Sequence, residues 1–282
     1  MEKRNVDLVI LSDIHLGTYG CHAKELLQYL HSINPKSIVL NGDIIDIWQF
    51  SKSYWPQSHM KVMRRLMKYI ADDVEVYYLT GNHDEMLRKF ANTSIGSFKL
   101  QNKLVLNLNG QKAWIFHGDV FDVTMQNSKW LAKLGAVGYD TLILINSFVN
   151  WCLAFMGREK MSFSKRIKAH FKDAVKFIND FENTAAGLAI ENGYDYVICG
   201  HIHQPEIRKI ATAKGTVTYL NSGDWVENLT ALEYHQGQWD IFRYDASDFK
   251  QPETFETDPA ENIDLNAMLD IRTLLSQVKQ KE

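Results

Sequence analysis

The chain has 282 residues with 45% hydrophobic and 12% aromatic content, so it can bury a sizeable core and a folded globular protein is expected, as one large domain or two small ones. Its 31 basic and 34 acidic residues leave a formal charge of −3, which gives no global attraction to nucleic acid; no nucleic-acid partner is expected, and an anionic substrate must be held locally. An odd cysteine count, Cys21, Cys152 and Cys199 without paired spacing, excludes a disulfide framework and fits a reducing compartment, with the thiols as core fillers.

The start, MEKRNVDLVILSD, has basic residues and only a short apolar run ending in Asp13, with no small-residue cleavage site, so it reads as a first strand and points to a cytoplasmic address. Strand-like runs follow at VDLVIL (6–11), SIVL (37–40), VEVYYL (74–79), KAWIF (112–116), YDYVIC (194–199), TVTYL (216–220) and LTALEYH (229–235). Several are continuously apolar, the pattern of strands buried on both faces. Helical spacing of apolar residues at about 22–33 and 59–71 separates the early strands and implies a layered α/β sheet, whereas short turns join the later ones. A sheet-on-sheet sandwich with flanking helices accommodates both halves.

From about 121 to 192 the strand signals vanish. Leu131, Leu134 and Val137 lie on one helical pattern, and Phe171, Val175, Phe177, Ile178 and Phe181 on a later one, so a helical insertion within a 1–245 domain is expected. Residues 246–282 are acidic and poor in aliphatics before a short helical pattern, and read as a polar C-terminal extension.

The chemical signal lies where the strands end, the edge at which α/β sheets usually hold ligands. VILSDIH delivers Asp13 and His15, VLNGDIID delivers Asp43, YYLTGNHD delivers Asn82 and His83, IFHGD delivers His117, and VICGHIH delivers His201 and His203. In an extended segment residues two apart share a side, so Asp13 with His15, and His201 with His203, are expected to converge. A lone histidine or aspartate after a strand is ordinarily a packing or turn residue; repetition at several strand ends reverses that inference. Imidazole, carboxylate and amide donors suit Mn²⁺, Fe²⁺ or Zn²⁺, and the set is too large for one tetrahedral ion. Two cations sharing a carboxylate, with Asp43 the best bridge, would use it all.

The order Asp13-x-His15, Gly42-Asp43, Gly81-Asn82-His83-Asp84, His117 and Gly200-His201-x-His203 resembles the calcineurin-like metallophosphoesterase superfamily from residue 6 to about 244. That resemblance implies an αββα sandwich with a dinuclear site. Asp13, His15, Asp43 and His203 would hold one metal, and Asp43, Asn82, His117 and His201 the other. It also implies that His83 assists phosphate or the leaving group, with Asp84 orienting it. Such a pair of cations lowers the pKa of a bridging water to supply hydroxide and neutralises charge on the phosphoryl oxygens. Mn²⁺ is the expected metal, with Fe²⁺ or Zn²⁺ as alternatives.

Within the superfamily SDIHLG, GDIIDIW, HGDVFD, GHIHQP and NSGDW resemble the UDP-2,3-diacylglucosamine diphosphatases of the lipid A pathway, which release UMP and an acylated sugar phosphate from a lipid-linked nucleotide. The Gly-Asn-Arg-Asp of the best-known members is Gly-Asn-His-Asp here, which weakens the exact substrate assignment and leaves hydrolysis intact. Independently, residues 141–157 place Phe148 and Trp151 on a broad apolar surface, and Arg158, Lys160, Lys165, Arg166 and Lys168 follow at once. That combination suits acyl chains and lipid phosphates, or peripheral attachment to an anionic membrane surface; a buried hairpin with a solvated basic face is the plainer alternative. Trp48, Tyr54 and Trp55 are candidates for a base or sugar pocket, Asp46 and Asp119 for orienting ligand histidines, and Asn221 for substrate contact. Asn221 and Asp224 could equally serve a turn. The rivals to a lipid-linked substrate are a soluble phosphoester, such as a cyclic nucleotide or phosphoprotein, and a non-catalytic scaffold on the same fold.

Overall fold

The computed structural model describes residues 3–47, 54–121 and 164–249, with side chains described from 176 onward in the last span. The first strands and helices alternate: β1 (Arg4–Leu11), α1 (Ala23–Ser32), β2 (Ile33–Asn41), α2 (Gln57–Ala71) and β3 (Glu75–Leu79). Short strands follow at β4 (Thr93–Ile95), β5 (Phe98–Gln101), β6 (Leu104–Leu108) and β7 (Gln111–Ile115). After α3 (Ser164–Glu191) come β8 (Tyr196–Cys199), β9 (Glu206–Thr212), β10 (Gly215–Asn221), β11 (Thr230–His235) and β12 (Gln238–Arg243).

These strands form two sheets, ordered β12-β11-β1-β2-β3-β5-β4 and β6-β7-β8-β10-β9. In the first, β1, β2 and β3 run parallel; in the second, β7, β8 and β10 do. The expected sandwich flanked by helices is thus present, and alternation along each strand explains its layers. Leu8 and Ile10 of β1 pack with Val39, Leu79, Ile115, Ile198 and Leu220 between the sheets. Their neighbours Val9 and Leu11 turn the other way, onto Leu26, Leu30, Val62 and Leu66 of α1 and α2. On the opposite outer face Phe181, Ala185, Ala186 and Ala189 of α3 cover Val197, Cys199, Val217 and Tyr219. Alanines at helical spacing let α3 lie close to the sheet. Each fully buried Leu, Ile or Phe contributes about 1.5–3 kcal/mol, so three apolar layers supply most of the drive to this stacking.

The chain divides into two compact units, Met1–Tyr244 and Asp245–Glu282. In the second, the described residues make one short turn, Ala246–Asp248, whose first N–H groups are capped by Asp245 through a 2.8 Å bond from Ser247 N–H. Most of the anticipated insertion, 122–163, lies outside the described residues. No helix of the described residues is long and apolar enough to cross a membrane.

Candidate metal centre

The loops that leave β1, β2, β3, β7 and β8 meet at one edge of the sandwich. Main-chain bonds zip them together: Asp13 N–H donates to Gly42 C=O at 3.1 Å, His15 N–H to Asp43 C=O at 3.0 Å, and Gly200 N–H to His117 C=O at 2.9 Å. The Asp13 carboxylate joins the two sheets by accepting from His201 N–H at 3.0 Å. Close approach at this junction requires glycine, since a Cβ on Gly200 would lie 2.7 Å from Asp13 Oδ2.

The expected pleat-based convergence of Asp13 with His15 and of His201 with His203 is corrected by the backbone. The ladders end at Leu11 and Cys199, and beyond them these four residues adopt left-handed φ of 51°, 53°, 68° and 55°, as does Asp43 at 54°. Such angles cost L-residues roughly 1–2 kcal/mol apiece, so the surrounding loop bonds must hold conformations the local sequence disfavours. Successive left-handed turns, not strand alternation, aim the side chains at one another.

Among the described residues three sets of donors could hold a cation, with ligand atoms in each set within 4.8 Å of one another: Asp13, His15 and His203; His15, Asp43 and His83; Asp43, His117 and His201. His15 and Asp43 each belong to two sets, and of the two only the carboxylate has a pair of donor oxygens. Asn82 lies in the adjoining turn, fixed against Asp43 by a 2.8 Å bond from His83 N–H to Asp43 Oδ1. The donor chemistry fits divalent ions. His15 Nε2 and Asn82 Oδ1 are buried without a hydrogen bond, and buried polar atoms are seldom left so. His117 Nε2 lies 3.2 Å from Asp43 Oδ2 and His203 Nε2 3.1 Å from Asp13 Oδ1, so the carboxylates and imidazoles face one another as ligands around a common point would.

The outer ring nitrogens fix the tautomers. His117 Nδ1 sits 2.8 Å from Asn41 C=O, which can only accept, so Nδ1 carries the hydrogen and Nε2 keeps its lone pair in the neutral ring. Asp46 does the same for His15 at 3.3 Å, and Asp224 faces His203 Nδ1 at 3.5 Å. The sequence argument places Asp224 in a strand-end loop near the presumed site, with a turn role as the simpler alternative. It fills that role, accepting from Val226 and Asn228 N–H, and backs His203 as well. An acid three residues beyond a strand end, after a histidine pair, is the signal that could have revealed it.

Charge follows geometry. Burial disfavours ionisation of Asp13 and Asp43, yet the charges of His203 and His117 respectively outweigh it and hold both carboxyls well below the usual range. Burial likewise opposes the His203 imidazolium, but Asp13 wins and raises its pKa from 6.5 to about 9. His117 is raised in the same way by Asp43 and Asp13. The sign is definite: a raised pKa means the protonated His203 pair stabilises the fold below about 6.5 and that contribution fades as pH climbs through about 9. Divalent cations need the same lone pairs, so their affinity rises over that interval.

Three expected roles are corrected. Asp84 does not orient His83: its carboxylate accepts from Ile44 N–H at 3.0 Å, Tyr78 O–H at 2.7 Å and Gly81 N–H at 2.6 Å, tying its own turn to β3 and to the loop after β2. The partner of His83 is Asp46, with Oδ2 2.8 Å from His83 Nδ1. Asp119 hydrogen-bonds no ligand histidine and instead pairs with Arg88, though its charge helps to raise His117. Asn221 is fully buried, with Nδ2 donating to Gly200 C=O at 2.8 Å and Oδ1 accepting from Gly223 N–H at 2.9 Å, so it braces the His201 loop and has no atom for substrate. Trp48, Phe148, Trp151 and Arg158 lie outside the described residues, as do the side chains of Lys165 and Arg166 on α3.

Comparison with known proteins adds a family. A family model described as Calcineurin-like phosphoesterase matches residues 6–205. The chain is similar to the UDP-2,3-diacylglucosamine hydrolase of Blochmanniella pennsylvanica, 25% identical over 242 residues, covering 84% of this chain and 95% of that one. The protein of the same name from Vibrio cholerae is 24% identical over 237 residues, covering 80% and 93%. Among solved structures, Yfce, a phosphoesterase from E. coli, matches with a TM-score of 0.41 at 13% identity, covering 84% of this chain and 99% of that one.

Proposed function

The chain belongs to the calcineurin-like phosphoesterase family and is a metal-dependent phosphoesterase, and from that premise we propose that it cleaves the pyrophosphate of UDP-2,3-diacylglucosamine or a related UDP-linked glycolipid, giving UMP and a lipid sugar phosphate. The observation that carries this reading is two adjoining donor sets, Asp13, His15 and His203 beside Asp43, His117 and His201, linked by a third set of His15, Asp43 and His83. Asp13, His15, Asp43 and His203 would hold one cation, and Asp43, Asn82, His117 and His201 the other. Mn²⁺ is the assignment we favour, with Fe²⁺ or Zn²⁺ served by the same donors. When bound, two such cations lower the pKa of a water to near neutrality and offset negative charge on the phosphoryl oxygens.

The chain's own contribution is placement and one proton. Burial works against the His83 imidazolium, but the Asp46 hydrogen bond and the Asp43 charge outweigh it, so its pKa is raised. Its Nδ1 is committed to Asp46, while its Nε2 edge faces Asp43 Oδ2 at 4.0 Å, inside the cluster. The Nε2 proton is the one given to the leaving oxygen. His83→Ala should therefore lower kcat about 10²-fold while metal content stays near normal. Asp46→Asn should shift the alkaline fall of kcat to lower pH. Loss of both metals from His83→Ala would mean that His83 is a ligand.

The lipid half of the proposal is supported by the names of the relatives and by the apolar-then-basic sequence of 141–168. With it comes a cytoplasmic address with peripheral contact to an anionic membrane. The test is UMP release from UDP-2,3-diacylglucosamine by the purified protein with Mn²⁺, against the chelated protein and a soluble phosphodiester. Rapid metal-dependent release of UMP is expected. Turnover of the soluble ester alone would retain the centre and discard the lipid-linked substrate.

A further inference from the structure

Next to the donor cluster lies a cavity of about 170 Å³ whose wall includes Thr80, Arg88, Asn102, His117 and Asp119. Its size is selective. Pockets for drug-sized ligands run to about 300–1,000 Å³, whereas this one has room for roughly six waters, or one phosphoryl-sized group. Its chemistry is that of an anion site. Arg88 follows the Asn82–Asp84 turn in the short helical segment Glu85–Phe90, and its Nη2 donates to Gly81 C=O at 3.3 Å and to Asp119. Its Nε is buried without a hydrogen bond. Thr80 O–H donates to Asn102 Oδ1 at 2.9 Å, which fixes that amide with its NH₂ as the uncommitted end. Two donor groups thus share a wall with His117.

We propose that this cavity is a second phosphoryl subsite, in which Arg88 and Asn102 bind the phosphoryl group adjoining the one under attack and so select diphosphates over simple phosphoesters. It rests on the cation-holding role proposed for His117. With Nη2 committed to Gly81 C=O and Asp119, Nε is left as a charge-assisted donor for a phosphoryl oxygen, and the ion pair with Asp119 keeps the guanidinium aimed while moderating its charge. Asp119 is the opposing element, because its carboxylate repels the incoming anion. Removing that charge should strengthen binding, an effect no merely structural Arg88–Asp119 latch would produce.

The test is calorimetric binding of methylenediphosphonate and of inorganic phosphate to the full-length protein saturated with Mn²⁺. The wild type should prefer the diphosphonate. Arg88→Ala should weaken diphosphonate binding about tenfold to hundredfold and phosphate binding little, with metal content unchanged; Arg88→Lys should recover part of the loss. Asp119→Asn should tighten diphosphonate severalfold. Should Arg88→Ala not fold, Arg88→Lys and Asn102→Ala carry the test, each reducing the preference. Wild-type preference in these variants, or no gain in Asp119→Asn, overturns the proposal. Absence of UDP-glycolipid turnover beside a retained, Arg88-dependent preference would instead reject the substrate and keep the subsite.

Discussion

Substituting Asp43 by alanine is expected to lower turnover by about 10⁴-fold or more and to strip most of the divalent cation from the protein, because one side chain serves both halves of the centre. Asp43 is 2% exposed and its oxygens are divided between tasks. Oδ1 accepts the His83 N–H at 2.8 Å and so holds the Asn82 turn, while Oδ2 lies 3.2 Å from His117 Nε2. Alanine removes a shared ligand, leaves the half-buried His83 N–H unpaired and withdraws the charge that raises His117. Losing the unpaired bond alone costs about 1–3 kcal/mol. Asp43→Asn separates the effects: it keeps an acceptor of the same shape, so the fold should hold while cation affinity falls. Kinetics and elemental analysis of both variants give the answer, and wild-type activity in Asp43→Ala would remove the bridging assignment.

Gly81→Ala is expected to be damaging as well, without deleting any functional group. A Cβ at this position would lie 2.2 Å from Asp43 Oδ1 and 2.6 Å from the Asp43 main-chain N. The second contact matters more. A side-chain tip can swing aside, but the Asp43 backbone is pinned, since its C=O accepts from His15 N–H at 3.0 Å and the neighbouring Ile44 N–H donates to Asp84 at 3.0 Å. The loops must separate by several tenths of an ångström or more. Overpacking of this kind costs about 1–3 kcal/mol, and displacement of reacting groups by about 1 Å costs roughly 10²-fold in rate. We therefore expect a variant that folds with a lowered Tm and loses at least that factor in kcat. Unchanged kcat and metal content would show that the Asn82 turn can move without consequence.

The donors were legible because their pattern is local: an apolar strand followed at once by Asp, Asn or His, repeated along the chain, as at VILSDIH and VICGHIH. Their convergence, however, does not come from strand alternation. Left-handed φ at Asp13, His15, Asp43, His201 and His203 is imposed by loop-to-loop bonds and leaves no mark in composition. The exchange of Asp84 for Asp46 as the partner of His83 has the same origin. Adjacency in sequence favours Asp84, but the β3 turn aims it inward at Tyr78 and brings in Asp46 from the β2 loop. Strands at sheet edges escaped for another reason. β9, EIRKIAT, has no fully buried residue and β4 has only three exposed ones, so neither bears the apolar run or alternation that marks β1 and β3. In sequence a buried amide bracing backbone, as at Asn221, is indistinguishable from one presented to a ligand.

The most direct test of the account is the cation stoichiometry of the full-length protein after chelation and reconstitution with Mn²⁺, read by elemental analysis and checked by recovery of phosphoesterase activity. Two ions per chain, falling well below two in Asp43→Ala, is the predicted result. A single ion, or none, in a protein that still hydrolyses phosphoesters at full rate would contradict it.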